Sequence, residues 1–394
     1  MEFYHGFVDI FSGILFLFGV RGAMQFLLKH YFDPDWDPAR LKPEKQADGS
    51  VDHHELHFVD NISAGDVIAE WIPLDESDVV DQRFVSDDKV FPAGRGTGVK
   101  RDTPDILYAA VDGYACYKDG KIRVRETLTV HRDIDYRTGN ISFVGNIAIE
   151  GSIRGGFSMH GRDVRVNGPV EGAHIVARNN LDCRGGVKGG RTAHLESGND
   201  MKLAFCEYAT LLSKRDVLIK GALMHSEVFA GRRLAVGGRL TGGHICAYDF
   251  IYVGEQLGGG MDTDTILVLG YDPALLNADR QFNERIKVVH DNIAFFEKIL
   301  HKGKEYKAEY EPKLAAAYKE LELLKGLKVK LWDGIYATER LDECRVLVPG
   351  VVKPGTEISI GSAYLKVDDF LEDVFFYYEN YEVKIGASAG KMKR

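Results

Sequence analysis

Histidines and carboxylates recur through the middle of the sequence in a phase that could assemble a site. His174 and His194 stand at equivalent positions of successive repeats, and Ser158, Thr210, Glu227 and His244 fill the same position elsewhere. Imidazoles in adjacent repeats are candidate zinc ligands, with Glu227 two repeats further on. Only two are neighbours and a third ligand is missing, so a solvent-facing polar column is the expected use of His174 and His194, and no metal is expected. A second set, Asp163, Asn180, Asp200 and Asp216, suggests the paired carboxylates of polysaccharide hydrolases. Such enzymes need one acid of raised pKa opposite a second carboxylate. Here each residue directly precedes an apolar alternation, where Asn and Asp serve turn hydrogen bonds and tolerate left-handed φ. Structural corners are expected.

Other reactive residue types give no motif. The glycines Gly94, Gly96 and Gly98 are not followed by Gly-Lys-Ser/Thr, so the cluster reads as a turn rather than a phosphate cradle. There is no Gly-x-Ser-x-Gly elbow and no His-Glu-x-x-His. Five cysteines, Cys116, Cys183, Cys206, Cys246 and Cys344, are scattered without a CxxC spacing, which fits small buried residues in a reducing compartment. No catalytic residue, no cofactor and no enzymatic activity are expected.

The elements that would position these residues are short alternations punctuated by glycine. The pairs Ile147/Ile149, Val164/Val166, Leu181/Cys183, Met201/Leu203, Val217/Ile219, Leu234/Val236 and Ile251/Val253 recur at steps of 17, 17, 20, 16, 17 and 17. A second set follows in phase, at Ile153, Val170, Val187, Phe205, Leu223, Leu240 and Leu257, and a third at Met159, Ile175, Leu195, Leu211, Val228 and Ile245. Three apolar faces per period mean three short strands per turn of a solenoid. Successive turns stack about 4.8 Å apart, and each buried aliphatic contributes roughly 1.5–3 kcal/mol. The spacing predicts a mainly β chain with a parallel β-helix of about seven turns; the steps fit the looser right-handed form better than a strict hexapeptide repeat, and periodicity alone leaves the hand open.

Length allows two or three domains. A net charge of −9 and a pI near 5.8 argue against non-specific nucleic-acid binding. The amino terminus lacks the basic region of a signal peptide, and the apolar run from Ile10 to Val20 is about half a membrane span. A cytoplasmic protein without a membrane span is expected. Residues 1–50 read as an extension with an apolar helix through Phe11, Leu15, Phe18, Met24, Phe26, Leu27 and Leu28. Residues 51–130 read as a β domain, 131–271 as the β-helix, with Ile266–Leu269 closing its sheet. Residues 272–330 carry two heptad-like stripes, Leu275 to Leu300 and Tyr310 to Leu324, which predict an antiparallel helical hairpin. Residues 331–394 read as a β cap, a segment that adds a last coil or covers the open end, with a frayed tail from Gly386.

Several runs resemble the bacterial flagellar assembly protein A family. They are Ala110-Val-Asp-Gly113, Gly120-Lys-Ile-Arg-Val124, the block from Asp133 through Asp-Tyr-Arg-Thr-Gly-Asn-Ile to Gly151, Val170 to Ala177, Val268 to Pro273 and Pro349 to Gly361. The resemblance implies a right-handed β-helix core, a helical hairpin inserted after it, a scaffold-like role in flagellar assembly or its polar placement, and no established enzymatic activity. Residues 1 to about 50 match nothing in that pattern. Partners are expected to be other proteins, further copies of the chain among them. Two alternatives belong to other classes: a polysaccharide-binding or polysaccharide-cleaving β-helix, and a bactofilin-like polymer, which capped ends would oppose.

Overall fold

A computed structural model describes residues 25–37, 54–74, 80–259 and 263–387. The chain divides into two compact units, one of residues 1–36 and 60–126, the other of residues 37–59 and 127–394.

The first unit is antiparallel β. Strand Phe26–His30 lies between Val67–Pro73 and Val85–Ser86, and Val67–Pro73 pairs in turn with Thr103–Ala109. Tyr114–Lys118 and Lys121–Arg125 form a hairpin. Leu28, Ile68, Trp71, Leu107 and Ile122 bury together as its core. The predicted helix is therefore corrected at its end: Phe26, Leu27 and Leu28 are strand, held by cross-strand partners that a short apolar run cannot reveal. Phe11, Leu15, Phe18 and Met24 lie outside the described residues. The glycine cluster is a close backbone approach, with Gly94 N–H donating to Ile122 O at 2.8 Å.

The second unit is a parallel β-solenoid of about eight turns. It starts earlier than residue 131, because Thr127–Val130 pairs in parallel with Asn146–Ile149. Three inward columns run its length. The first carries Leu128, Ile147, Val164, Leu181, Met201, Val217, Leu234, Ile251 and Val346. The third carries Met159, Ile175, Leu195, Leu211, Val228, Ile245, Leu267 and Ile358. The second is as predicted except at one turn, where Cys206 and not Phe205 pairs with Val187 and Leu223. Only two residues separate Leu203 from Cys206, against three at the other corners of this column, so the inward phase moves by one. The long step is an insertion between Lys188 and Ala193, where the register shifts.

Chain continuity past the third face differs from expectation. Thr265–Leu269 is not the last strand there, because Thr356–Ile360 pairs with it in parallel after the two helices. Arg345–Val352 likewise extends the first and second columns through Val346 and Val352. Beyond this last coil the pairing turns antiparallel, with Leu371–Glu379 on Arg345–Val352 and Glu382–Ala387 outside it, so Gly386 is strand rather than tail. At the other end Asn140 N–H donates to His54 O, and Leu56 is buried beside Gly139. All five cysteines are free thiols, and burial pushes Cys206 and Cys344 up to about 12.

Candidate functional site: the polar column and the helical hairpin

Parallel pairing brings Ser158, His174, His194, Thr210, Glu227 and His244 into one outward column. The His174 and His194 rings lie 5.1 Å apart, and His160, which the phase argument missed, stacks on His174 at 5.8 Å. His160 occupies the other outward position of its strand, which is where a search for neighbours would have found it. His194 Nε2 is 2.7 Å from Glu196 Oε1, and Glu227 is paired with Arg280. Among the described residues no group of three or more His, Cys, Asp or Glu side chains is arranged to hold a metal ion.

Partial burial, then the adjacent His194 and His160, hold the His174 imidazole below its usual value. Its neutral form is the one the fold favours, so stability is complete above the ordinary imidazole pKa and is lost as pH falls through the depressed one. We expect His174→Ala to change stability by no more than about 0.5 kcal/mol at neutral pH and to soften the acid transition. Zinc should shift neither melting temperature. A rise in wild type that His174→Ala abolishes would instead establish a metal site.

The second predicted column is a hydrogen-bonded ladder. Asn180 donates to Asp163 Oδ1 from its backbone N–H at 3.1 Å and from Nδ2 at 2.8 Å. Asp200 N–H donates to Asn180 Oδ1, Asp216 N–H to Asp200 Oδ1, each at 3.4 Å, and Arg232 Nε to Asp216 Oδ1 at 2.8 Å. The Arg232 hydrogen bond holds Asp216 below the usual carboxylate range, the opposite of what a glycosidase acid needs.

A corner column escaped the sequence reading altogether. Arg191, Tyr208 and His225 all have positive φ, at 67°, 50° and 46°. The Tyr208 and His225 rings stack 5.0 Å apart, and the Arg191 guanidinium lies 5.5 Å from the Tyr208 centroid. Left-handed backbone costs about 1–2 kcal/mol per residue, which ring stacking and cation–π attraction offset. Gly242, with φ 67° and in phase with Tyr208 and His225, was the available signal. These side chains line, with Thr210, His244 and Arg280, a groove of about 730 Å³.

Arg280 belongs to the first helix, α1 (Pro273–Leu300), which Asp272 caps by accepting from Ala274 N–H at 2.8 Å. The second helix, α2 (Lys307–Ala337), returns antiparallel, with Pro312 in its second turn. Arg280 pairs with Glu227 and lies over the Phe229 ring, seating the base of α1 on the solenoid. Where the chain leaves and re-enters, Asp272 N–H donates to Thr338 Oγ1 at 3.0 Å and Tyr248 OH to Thr338 O at 2.9 Å.

Between the helices the heptad stripes meet as expected. Val289, Ile293, Ala317 and Leu321 are buried, flanked by Ile286, Phe296, Leu314 and Leu324. Arg285 Nε to Glu320 Oε1 at 2.7 Å marks one broad side of the hairpin, and Tyr318 OH to Glu297 Oε1 at 2.6 Å marks the other. Helical periodicity places Val288 and Phe295 on the Arg285 side of α1, and Leu323 and Leu327 on the Glu320 side of α2. They are 47%, 55%, 62% and 41% exposed. Arg280 is about 140° round α1 from Arg285, so the solenoid meets a different side. Gly326 lies beside this apolar band, and a Cβ there would meet nothing within 4 Å. Gly326→Ala should therefore raise stability by about 1 kcal/mol in a urea melt, and a loss would contradict a continuous helix there.

Among the described residues no helix is long and apolar enough to cross a membrane. No curated protein and no solved structure matches the chain significantly. A family model described as the Flagellar Assembly Protein A beta solenoid domain matches residues 126–383, from the first strand of the solenoid to the antiparallel cap. With well over half its length so matched, the chain belongs to the flagellar assembly protein A family.

Proposed function

We propose that the chain is a non-enzymatic docking scaffold, acting in the cytoplasm in flagellar assembly, with the solenoid as a rigid base and the hairpin as the part that receives another protein. The observation that carries this reading is the row of exposed aliphatic and phenyl side chains on the Arg285–Glu320 side of the hairpin, whereas the other side exposes Val329 beside the hydroxyl-bearing Tyr318 and Tyr336. The hairpin's internal core is complete without Val288, Phe295, Leu323 and Leu327, yet all four face water. Exposed apolar patches of this kind mark interaction sites. The pinned ends of the hairpin hold that side fixed relative to the coils beneath it, as a docking platform requires.

The test is site-specific photo-crosslinking in the cells the chain comes from. A crosslinker in place of Phe295 or Leu323 should trap a second protein, and one in place of Lys325, which pairs with Glu322, should not. If positions 295 and 323 crosslink no better than 325, the docking reading falls.

A further inference from the structure

The apolar band on the hairpin has a direction. The cross-helix pairs Arg285–Glu320, Asn283–Lys328, Asp279–Trp332 and Glu297–Tyr318 set Leu323 and Leu327 of α2 level with about residues 283–288 of α1, in its lower half. Val288 stands level with Leu323, and Phe295 lies about 10 Å further toward the tip at 1.5 Å per residue. Helix axes in such a pair are about 8–10 Å apart. From Leu327 and Leu323 to Phe295 the band therefore crosses the hairpin obliquely, at about 30–40°, within the range of ordinary helix packing angles.

Its border carries a surplus of positive charge. Lys298 flanks Phe295, and Lys319 and Lys330 flank Leu323 and Leu327; all three are exposed and make no ion pair among the described residues. Of the carboxylates nearby, Glu320 is engaged by Arg285, while Glu284, four residues before Val288, lies 3.8 Å from Nε of Arg280, a guanidinium that Glu227 already shares. Asp291, between Val288 and Phe295, and Glu284 oppose the three lysines and leave a small positive surplus.

We propose that the band is the seat of an amphipathic helix from a protein partner, laid obliquely across α1 and α2 with leucine-type side chains on the band and acidic residues against Lys298, Lys319 and Lys330. This deepens the docking reading and rests on it. A helix fits where an extended segment does not, because both helices of the hairpin satisfy their own backbone groups and leave only side-chain ridges to pack on. A second copy fits less well. A two-fold axis would set the band and its exposed lysines, Lys298, Lys319 and Lys330, against the same surface of its mate, like charge on like charge.

Two fluorescent peptides of about eighteen residues, ~27 Å as helices, provide the probe. They share one leucine stripe and differ only in carrying glutamate or lysine beside it. With the full chain, anisotropy should show the acidic peptide binding at least tenfold tighter, with the difference shrinking as salt rises. Phe295→Ser with Leu323→Ser should remove binding of both, and Lys298→Glu with Lys319→Glu and Lys330→Glu should reverse the preference. All five positions are exposed, and the wild-type comparison stands whether or not a variant folds. Equal affinities, an acidic preference that survives charge reversal, or self-association in sedimentation velocity that Leu323→Ser abolishes would each overturn the proposal. A crosslink at position 295 without acidic preference ends this inference alone, whereas absence of any crosslink ends the docking reading as well.

Discussion

Val170→Asp should leave no cooperatively folded solenoid at 37 °C. Val170 is fully buried in the second inward column, stacked between Ile153 and Val187. The substitution removes roughly 1.5–3 kcal/mol of apolar burial. It also places a carboxylate among aliphatics, which costs several kcal/mol more even if the group protonates. Together these approach the whole stability of an ordinary domain, about 5–15 kcal/mol. His174→Ala, four residues on in the same coil, is the control, because its side chain points outward. Similar losses of melting temperature in the two variants would contradict the assignment of inward and outward positions.

Gly185→Val should be nearly as damaging for a different reason. Gly151, Gly168 and Gly185 succeed one another at the corner between the first and second faces, where each coil rests on the backbone of the one before. A Cβ at Gly185 would lie 2.2 Å from the Gly168 carbonyl carbon and 2.5 Å from Pro169 N. The obstacle is main chain, so no rotamer relieves it, and the coils must separate beyond their spacing of about 4.8 Å. Overpacking ordinarily costs about 1–3 kcal/mol, and this contact should reach the top of that range or pass it. Gly190, on the bulge of the same coil, faces open space at φ 57°. Gly190→Ala should lose only the left-handed increment of about 1–2 kcal/mol. Equal shifts in a urea titration would mean that the coils do not touch where the geometry places them.

The solenoid could be read in the sequence because its inward residues are Val, Ile, Leu and Met at nearly constant spacing, and a period of seventeen has few other causes. Misreadings fell where chain length and face went out of step. The short corner before Cys206 moved the inward position off Phe205, and cysteine carries little hydrophobic signal. Phe26 to Leu28 looked helical because three apolar residues do not distinguish a period of 3.6 from one of two, and the strands that decide the matter lie some forty to sixty residues away. Whether Val346 and Ile358 add a last coil or form a separate cap stays open in the sequence, because their stacking partners, Ile251 and Leu267, lie across the hairpin. Of the candidate site, the hairpin and its inner stripe were legible. The apolar band was not, since deciding that Val288, Phe295, Leu323 and Leu327 share a side requires knowing which flanking residues of the two helices meet, and Arg285 with Glu320 supplies that.

The hairpin departs from the tube at Leu269 and rejoins it at Arg345, with both ends anchored at Thr338 and Tyr248. Its length is thereby uncoupled from coil geometry: adding one heptad to each helix would carry the tip outward by about 10.5 Å and leave every stacked column untouched. A chain so built can change its reach while conserving its foundation. The closing coil, for its part, can form only after the two arms have folded back, so completion of the tube reports that the projecting arms are in place.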